Sequence, residues 1–489
     1  MADSWKPLQK QEMKHYEAID KESLEFLSNR YNKVNRWVIA DMIRRSAYRY
    51  PDKPALIFKD RTLTYSQLEA DCNRVANALE ELGVKKYDRV AILAHNTLDH
   101  VLTWIGCAKI GAVYLAINYL LRGKDIAYCI NHSESAVFVV EDSLFDLVKD
   151  VVDDMPTVKT WIWSKQGAGK PANDGRFLDF ENWYAKYPAD EPDTILHIEE
   201  PCQMTYTSGT ESLPKGVLIS NQALMAQYMG AIVDGQYDET DINVNALPIY
   251  HCAQRDVFMN PVFWVGGTNV LILPDIGQIL KSLAEYKATM FFAPPTVWIG
   301  MLRHPDLATY DLSHLKKCYY GASIMPVEIL KEIMEKFPGT GIWNYYGQTE
   351  LAPYHTVLKA KDALRKLGSA GMGGLNMETR LEDDACNPIA QPGVPGEICG
   401  KGPHALIMYF KDPVKTEEAM KGGWFHSGDI GVMDEDRYIT VADRKKDMIK
   451  TGGENVPTRE VEEAIYLDPR VQEVAVIGLP DPKWVEKVT

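Results

Sequence analysis

Apolar positions between residues 37 and 82 switch repeatedly between strand-like and helical spacing. From Thr64-Tyr65-Ser66-Gln67-Leu68 onward they recur at helical spacing through Leu79 and Leu82, and Gly83 stops the pattern. This predicts one helix. Strand-like Arg89-Val90-Ala91-Ile92-Leu93 follows, then a helical stretch, then Ala112-Val113-Tyr114-Leu115. Residues 315–345 repeat the arrangement: a strand from Leu315 to Tyr320, a turn at Gly321-Ala322-Ser323, a helix from Val327 to Phe337, and a strand from Gly341 to Tyr345. Such β-α-β alternation predicts parallel sheets. Ligands in these sheets sit beyond the carboxyl ends of the strands. The turn at Gly321 and the Tyr346-Gly347 pair are therefore expected to border one pocket.

From about Gly371 to Val441 the pattern becomes short strands with Gly/Pro turns, which predicts a β-rich module. Asp443 to Lys450 is charged and ends at Gly452-Gly453, a candidate hinge. Pro457 opens a helix to about Leu467, and a strand is expected from Val471 to Leu479. The expected fold is α/β. A helical extension (1–36) precedes a large N-terminal domain (37–443) of two α/β sheet subdomains plus a small β-barrel-like module. A partial, small α+β C-terminal domain (444–489) follows.

A chain of 489 residues needs more than one core. Its net charge of -15 excludes the basic footprint of a nucleic-acid binder. An anionic substrate would then need a locally positive site. Eight cysteines are scattered without C-x-x-C spacing, as expected of free thiols in a reducing, cytoplasmic setting. No run of about 18 apolar residues is present, so no transmembrane segment is expected. Peripheral membrane contact stays open.

Chemistry concentrates in Thr207-Ser208-Gly209-Thr210-Glu211-Ser212-Leu213-Pro214-Lys215-Gly216, a hydroxyl- and glycine-rich turn between apolar runs. Its backbone N–H groups, hydroxyls and mobile lysine can wrap a polyphosphate. The spacing is not that of a Walker A loop, and strand-like Val217-Leu218-Ile219-Ser220 follows, so no helix N-terminus assists. Asn344-Tyr345-Tyr346-Gly347-Gln348-Thr349-Glu350 offers a stacking face at Tyr346. Small Gly321, Ala322 and Gly347, with Ser323 and Tyr345 beside them, leave room for a base, and Asn344 can bond its amine. Glu350 suits Mg²⁺, or it is merely a helix N-terminal acid. Asp429, in Gly423-Trp424-Phe425-His426-Ser427-Gly428-Asp429, suits two ribose hydroxyls, or it caps a turn.

Together with Asp443-Arg444-Lys445-Lys446-Asp447-Met448-Ile449-Lys450-Thr451-Gly452-Gly453, these motifs resemble the adenylate-forming superfamily. That superfamily comprises acyl-CoA synthetases, peptide-synthetase adenylation domains and luciferases. The resemblance runs from about Trp37 to the chain end. It implies that ATP and a carboxylic acid form acyl-AMP, which CoA converts to a thioester. It implies Mg²⁺ at Thr207 and Glu350, α-phosphate contact at Thr349, and ribose contact at Asp429 and Arg444. It further implies a hinge at Lys446, a pantetheine tunnel at Gly453, and a site-facing Lys450 in the thioester-forming state.

Two departures stand out. Glu211-Ser212 replaces a common Thr-Gly, with Glu211 expected to face solvent. No Pro-Lys-x-x-x-Gly-Lys-like motif follows Asp481, so truncation of an active parent is expected. A non-catalytic nucleotide- and acyl-binding protein, or an acyl-AMP ligase loading a carrier protein, are the rival readings. On the acyl side, Pro248-Ile249-Tyr250-His251-Cys252 lacks the aspartate that pairs an amino-acid ammonium. Pro294-Pro295-Thr296-Val297-Trp298-Ile299-Gly300-Met301-Leu302 resembles fatty acyl-CoA synthetases, which points to a medium- or long-chain fatty acid. His251, Arg255 and Trp298 are the candidate pocket residues. His251 is alternatively a plain wall residue. Arg255 pairs either Asp256 or another local acid, or a second substrate carboxylate, the local acid being favoured.

Overall fold

The computed structural model describes residues 28–167, 175–209, 212–323, 325–444, 448–451, 454–456, 458–466, 468, 470–471, 474–481 and 485–489. The predicted first helix spans Tyr65–Glu81. Thr64 Oγ1 accepts the Gln67 N–H while Gln67 Oε1 accepts the Thr64 N–H, so two otherwise orphaned donors are satisfied reciprocally. Gly83 follows in the left-handed region, at φ 83°. Leu68, Cys72, Val75, Ala76 and Leu79 form its buried stripe. The neighbouring helix Leu98–Lys109 is buried on nearly every side, as a helix enclosed between two sheets must be. A Cβ at Gly106 would lie 2.7 Å from Val75 Cγ1, so glycine sets how closely the two helices approach.

Both predicted parallel sheets are present. One runs, in spatial order, Met408–Tyr409, Ser212–Ser220, Pro201–Gly209, Val113–Ala116, Arg89–Leu93, Ser135–Glu141, Thr160–Ser164, Phe177–Asp179. The other runs Met372–Gly373, Thr356–Leu358, Gly341–Tyr346, Lys317–Gly321, Met290–Phe292, Ile242–Asn245, Thr268–Leu271, Pro54–Phe58, Arg61–Thr64. Side chains from facing sides of both sheets, including Val90, Ile92, Leu56 and Leu271, share one core with the two helices above. Outer helices cover the remaining faces, around Phe138 and Val140 on one sheet and Phe291 and Cys318 on the other.

A third, antiparallel sheet contains Glu378–Glu382, Pro388–Ile389, Pro395–Lys401, Phe425–Met433 and Ile439–Arg444. It occupies the stretch expected to be β-rich. Two strands within that stretch, Met372–Gly373 and Met408–Tyr409, instead extend the large sheets. Periodicity cannot reveal that exchange, because strand partners are chosen by tertiary packing. At the C-terminal end Ile449–Thr451, Glu454–Val456, Gly478–Asp481 and Val485–Val488 form a small sheet beside the helix Thr458–Tyr466. The strand expected from Val471 begins only at Gly478. All eight cysteines are free, and all but the half-exposed Cys386 are buried. No helix among the described residues is long and apolar enough to cross a membrane.

Three buried histidines are held neutral by desolvation: the pKa of His355 falls to about 3, and those of His100 and His404 to about 4. Between these values and about 6.5 the unfolded chain binds the proton and the native chain does not, so stability falls on acidification. Buried Asp99, raised to about 6, acts in the opposite sense. His132 and His251 are lowered as well, and Glu69, Asp71 and Glu350 are raised like Asp99. With the five histidines dominating, the melting temperature should drop from pH 7 to pH 4.5, with a limit of about 1.4 kcal/mol per pH unit for each histidine. Calorimetry across that range checks this, and a flat profile would contradict it.

Candidate active site

The hydroxyl-rich turn joins two long antiparallel strands, Pro201–Gly209 and Ser212–Ser220, with Thr207 opposite Lys215 and Tyr206 opposite Gly216. Buried Met204, Val217 and Ile219 anchor the hairpin, so its tip projects from a fixed base. The segment after Lys215 is a strand, as expected, and Ser220 then caps the helix Asn221–Gly235. Ser208 and Gly209 end the first strand. Thr210 and Glu211 lie outside the described residues. Lys215 Nζ stands 4.9 Å from the Tyr409 ring centre. The Tyr409 hydroxyl donates to Glu350 Oε1 at 2.9 Å. Burial pushes the Glu350 carboxyl above the usual range, while Tyr409 and the Lys215 charge pull it down.

The two strands expected to border a pocket are neighbours, with Gly321 opposite Tyr345. A Cβ at Gly321 would fall 2.3 Å from the Tyr345 carbonyl oxygen, and one at Gly347 would fall 1.8 Å from that of Pro353, so neither position admits a side chain. Ala322 takes φ 65°, an uncommon conformation for a residue with a Cβ, and Ser323 beside it is exposed. The Tyr346 hydroxyl donates to Asp429 Oδ2 at 2.7 Å. Gln348 Nε2 lies 2.6 Å from that hydroxyl and 3.0 Å from Asp429 Oδ2. Arg444 stands opposite Asp429 in the strand register. Asn344 Nδ2 donates to the Ser369 carbonyl at 3.0 Å, which fixes the amide plane. The Tyr345 side chain is a correction. It turns to the other face of the sheet and packs on Phe258, Tyr319 and Tyr354, because side chains alternate along a strand. Only its backbone borders the site.

A family profile described as AMP-binding enzyme matches residues 43–410. The chain belongs to the AMP-binding enzyme family. The long-chain-fatty-acid–CoA ligase of Bacillus subtilis is 30% identical over 481 residues, spanning 92% of this chain and 83% of that protein. Feruloyl-CoA synthase of an Amycolatopsis species is 30% identical over 444 residues, spanning 90% and 86%. The Mycobacterium tuberculosis fatty acyl CoA synthetase structure matches with a TM-score of 0.78 at 30% identity, over 92% of this chain and 87% of that one. The anthranilate CoA ligase AuaEII bound to anthranoyl-AMP matches with a TM-score of 0.85 at 26% identity, over 92% and 86%. This AMP-binding enzyme is an acyl-CoA synthetase, an acid–thiol ligase that activates a carboxylic acid through acyl-AMP, with ATP and CoA as substrates.

The segment expected on the acyl side approaches the same edge: Cys252 Sγ lies 3.4 Å from Thr349 Oγ1. His251 is exposed, and its Nδ1 accepts the Ala253 N–H at 3.2 Å, which places the ring proton on Nε2. Trp298 is corrected to a core residue. It is buried on the helix Pro295–Leu302 among Phe291 and Phe337, and its indole N–H donates to the Tyr319 carbonyl. Arg255 is also a core residue, completely buried. It pairs Asp256 through two bonds, Nε to Oδ1 at 3.1 Å and Nη2 to Oδ2 at 2.8 Å. Nη2 also donates to Gln203 Oε1 at 2.9 Å and Nη1 to the Ile249 carbonyl at 3.2 Å, while Trp104 and Tyr114 lie against the guanidinium. The favoured local pairing holds, and the guanidinium has no face left for a substrate carboxylate. Lys450 lies in the strand Ile449–Thr451 of the small sheet. Lys446 and Gly453 lie outside the described residues. Tyr409 and Gln348 carried no assigned role in the sequence reading. Gln348 sits inside a recognised motif, whereas Tyr409 reaches Glu350 only through strand pairing.

Arg255→Leu should lower the unfolding free energy by about 3–5 kcal/mol, because Asp256 stays buried and loses its charge partner. It should leave the preference between mono- and diacids unchanged. Adding Asp256→Asn should recover part of the loss in denaturant titrations.

Proposed function

We propose that this acyl-CoA synthetase acts on a medium- or long-chain fatty acid. The observation that carries the activation chemistry is the convergence of Lys215, Tyr409 and Glu350 on one side of the site, with Tyr346, Gln348 and Asp429 on the other. Adenine stacks on Tyr346 beside Gly321, Ala322 and Gly347, with Asn344 Oδ1 accepting from its amine. Asp429 accepts from the ribose hydroxyls, with Arg444 next to it in register. Thr207, Ser208, Gly209, Thr210 and Lys215 hold the polyphosphate, and Thr349 meets the α-phosphate. Glu350 fits a Mg²⁺ role: Tyr409 takes one carboxylate oxygen and leaves the other, and Thr207 supplies a hydroxyl. The ion would offset polyphosphate charge.

In the first half-reaction a substrate carboxylate oxygen attacks the α-phosphorus and pyrophosphate leaves. The site brings the two anions into line and offsets their repulsion. In the second, the CoA thiolate attacks the acyl carbonyl and AMP leaves. Residues 444–489 turn as a small domain at Lys446 between the two steps, bringing Lys450 to the site and Gly453 to the pantetheine path. The fatty-acid reading is supported by the long-chain-fatty-acid–CoA ligases of Bacillus subtilis and Escherichia coli among the relatives, at 30% and 31% identity. It is also supported by Tyr250-His251, where an amino-acid enzyme needs an acid.

ATP–pyrophosphate exchange and thioester formation, measured with acids from acetate to stearate and with ferulate and indoleacetate, test the substrate reading. Turnover favouring the aryl acids would overturn it. Asp429→Ala should raise KM for ATP roughly 10- to 100-fold, the equivalent of losing about 1.5–3 kcal/mol of charged hydrogen bonding. Glu350→Gln should lower kcat of exchange roughly 100-fold. Gly453→Leu should spare exchange and block thioester formation, and equal loss of both half-reactions would remove Gly453 from the CoA path.

A further inference from the structure

A polar cluster in the small antiparallel sheet has no part in acyl activation. Three neighbouring strands bring Glu382 opposite Glu397 and Cys399 opposite His426. The alternate residues Leu381 and Ile398 form the apolar core of the module with Ile439. One ligand atom each from Glu382, Cys399 and His426 lies within 4.8 Å of the other two. Cys399 Sγ is 3.5 Å from His426 Nδ1, and Glu397 Oε2 is 3.3 Å from the same nitrogen. His426 Nε2 is 3.1 Å from the Lys421 carbonyl oxygen, which can only accept. In the neutral ring Nε2 therefore carries the hydrogen, and Nδ1 presents a lone pair to a sulfur and a carboxylate oxygen.

The surroundings of the carboxylates deepen the conflict. Arg380 donates to Glu382 Oε1 from Nε at 2.7 Å, and its Nη2 lies 2.6 Å from the same oxygen. Glu382 Oε2 is fully buried and accepts no hydrogen bond, and His426 Nε2 stands 3.6 Å away. The Gly428 N–H donates to Glu397 Oε1 at 3.0 Å. Each carboxylate thus has one oxygen oriented by a donor and the other turned toward the cluster. Glu382 Oε2 and the His426 Nδ1 lone pair face one buried point, where the Cys399 thiol proton is the hydrogen between Sγ and Nδ1.

We propose that Glu382, Cys399 and His426, with Glu397 beside them, bind a structural zinc ion. Zinc takes sulfur, imidazole and carboxylate ligands together. Tetrahedral bonds of about 2.3 Å to sulfur and about 2.0–2.1 Å to nitrogen separate those two atoms by about 3.5 Å. A backbone carbonyl on the second ring nitrogen and cationic donors behind a carboxylate are the usual outer supports of such a site. Burial, with Glu382 and Glu397 nearby, pushes the Cys399 thiol up, so the metal-free thiol keeps its proton. Binding forms the Zn–S bond, and that proton leaves to solvent. His426 and Asp429 lie on one strand, so the ion would clamp the strand that runs into the nucleotide edge.

The purified chain of residues 1–489, passed through metal-free buffer, should retain about one zinc per chain by elemental analysis. Replacement with Co²⁺ should produce a sulfur-to-cobalt charge-transfer absorption. Cys399→Ser should abolish that band, and Glu382→Gln should weaken zinc retention roughly tenfold or more. A wild-type chain that holds no zinc and gives no band overturns the proposal. A band that survives Cys399→Ser in a folded variant also overturns the assignment. The wild-type titration decides the matter even where a variant fails to fold.

Discussion

The buried Arg255–Asp256 pair is the constraint on which the site edge depends. A charge with no exposure must keep its partner, and Asp256 is in turn bonded by Gln203, Tyr228 and Asn260. Gln203 lies on the strand that ends in the hydroxyl-rich turn, so the network ties that strand to the helical segment after His251. Seven residues of this segment, Ala253–Met259, are wound as a π-helix, a form common near functional sites. The expanded turn lets adjacent Arg255 and Asp256 both point inward. Burial works against the guanidinium charge, yet Asp256 and Tyr114 more than offset it, and its pKa lies above the ordinary value.

Beyond that anchor, the site is assembled by strand ends from different sheets. Lys215 comes from one large sheet, Tyr346 and Glu350 from the end of the other, and Asp429 from the small module. Parallel sheets align their carboxyl ends, so groups far apart in sequence face one crevice. The contacts that bind the parts are short and polar: Tyr409 to Glu350, and Tyr346 and Gln348 to Asp429. Each joins two sheets, so these side chains hold their positions through packing that belongs to the fold.

Much of this was legible in the chain. The helix from Tyr65, the strand Arg89–Leu93 and the β-α-β unit ending at Tyr346 follow from periodicity and cap chemistry. The adjacency of the strand ends at Gly321 and Tyr346-Gly347 followed from the β-α-β order. Trp298 was misplaced because a motif does not say which side of the helix Pro295–Leu302 the core takes, and Tyr345 was misplaced because of strand alternation. A motif names a residue but not the sheet face it occupies, and a one-residue step along a strand reverses that face. Gly347 marks a place where backbone passes close by, and it leaves the direction of Tyr345 open.

The sequence alone determined the elements, the motif order and the family, because these rest on local spacing and on residue types needed for phosphate and ribose contact. Only tertiary structure decided that Arg255 is a buried counter-ion and not a pocket residue. It alone decided that Tyr409 bridges Lys215 and Glu350, and that Glu382, Cys399 and His426 share one buried point. Those outcomes depend on strand register and on which side chains the core desolvates, and both are set by contacts between residues far apart along the chain.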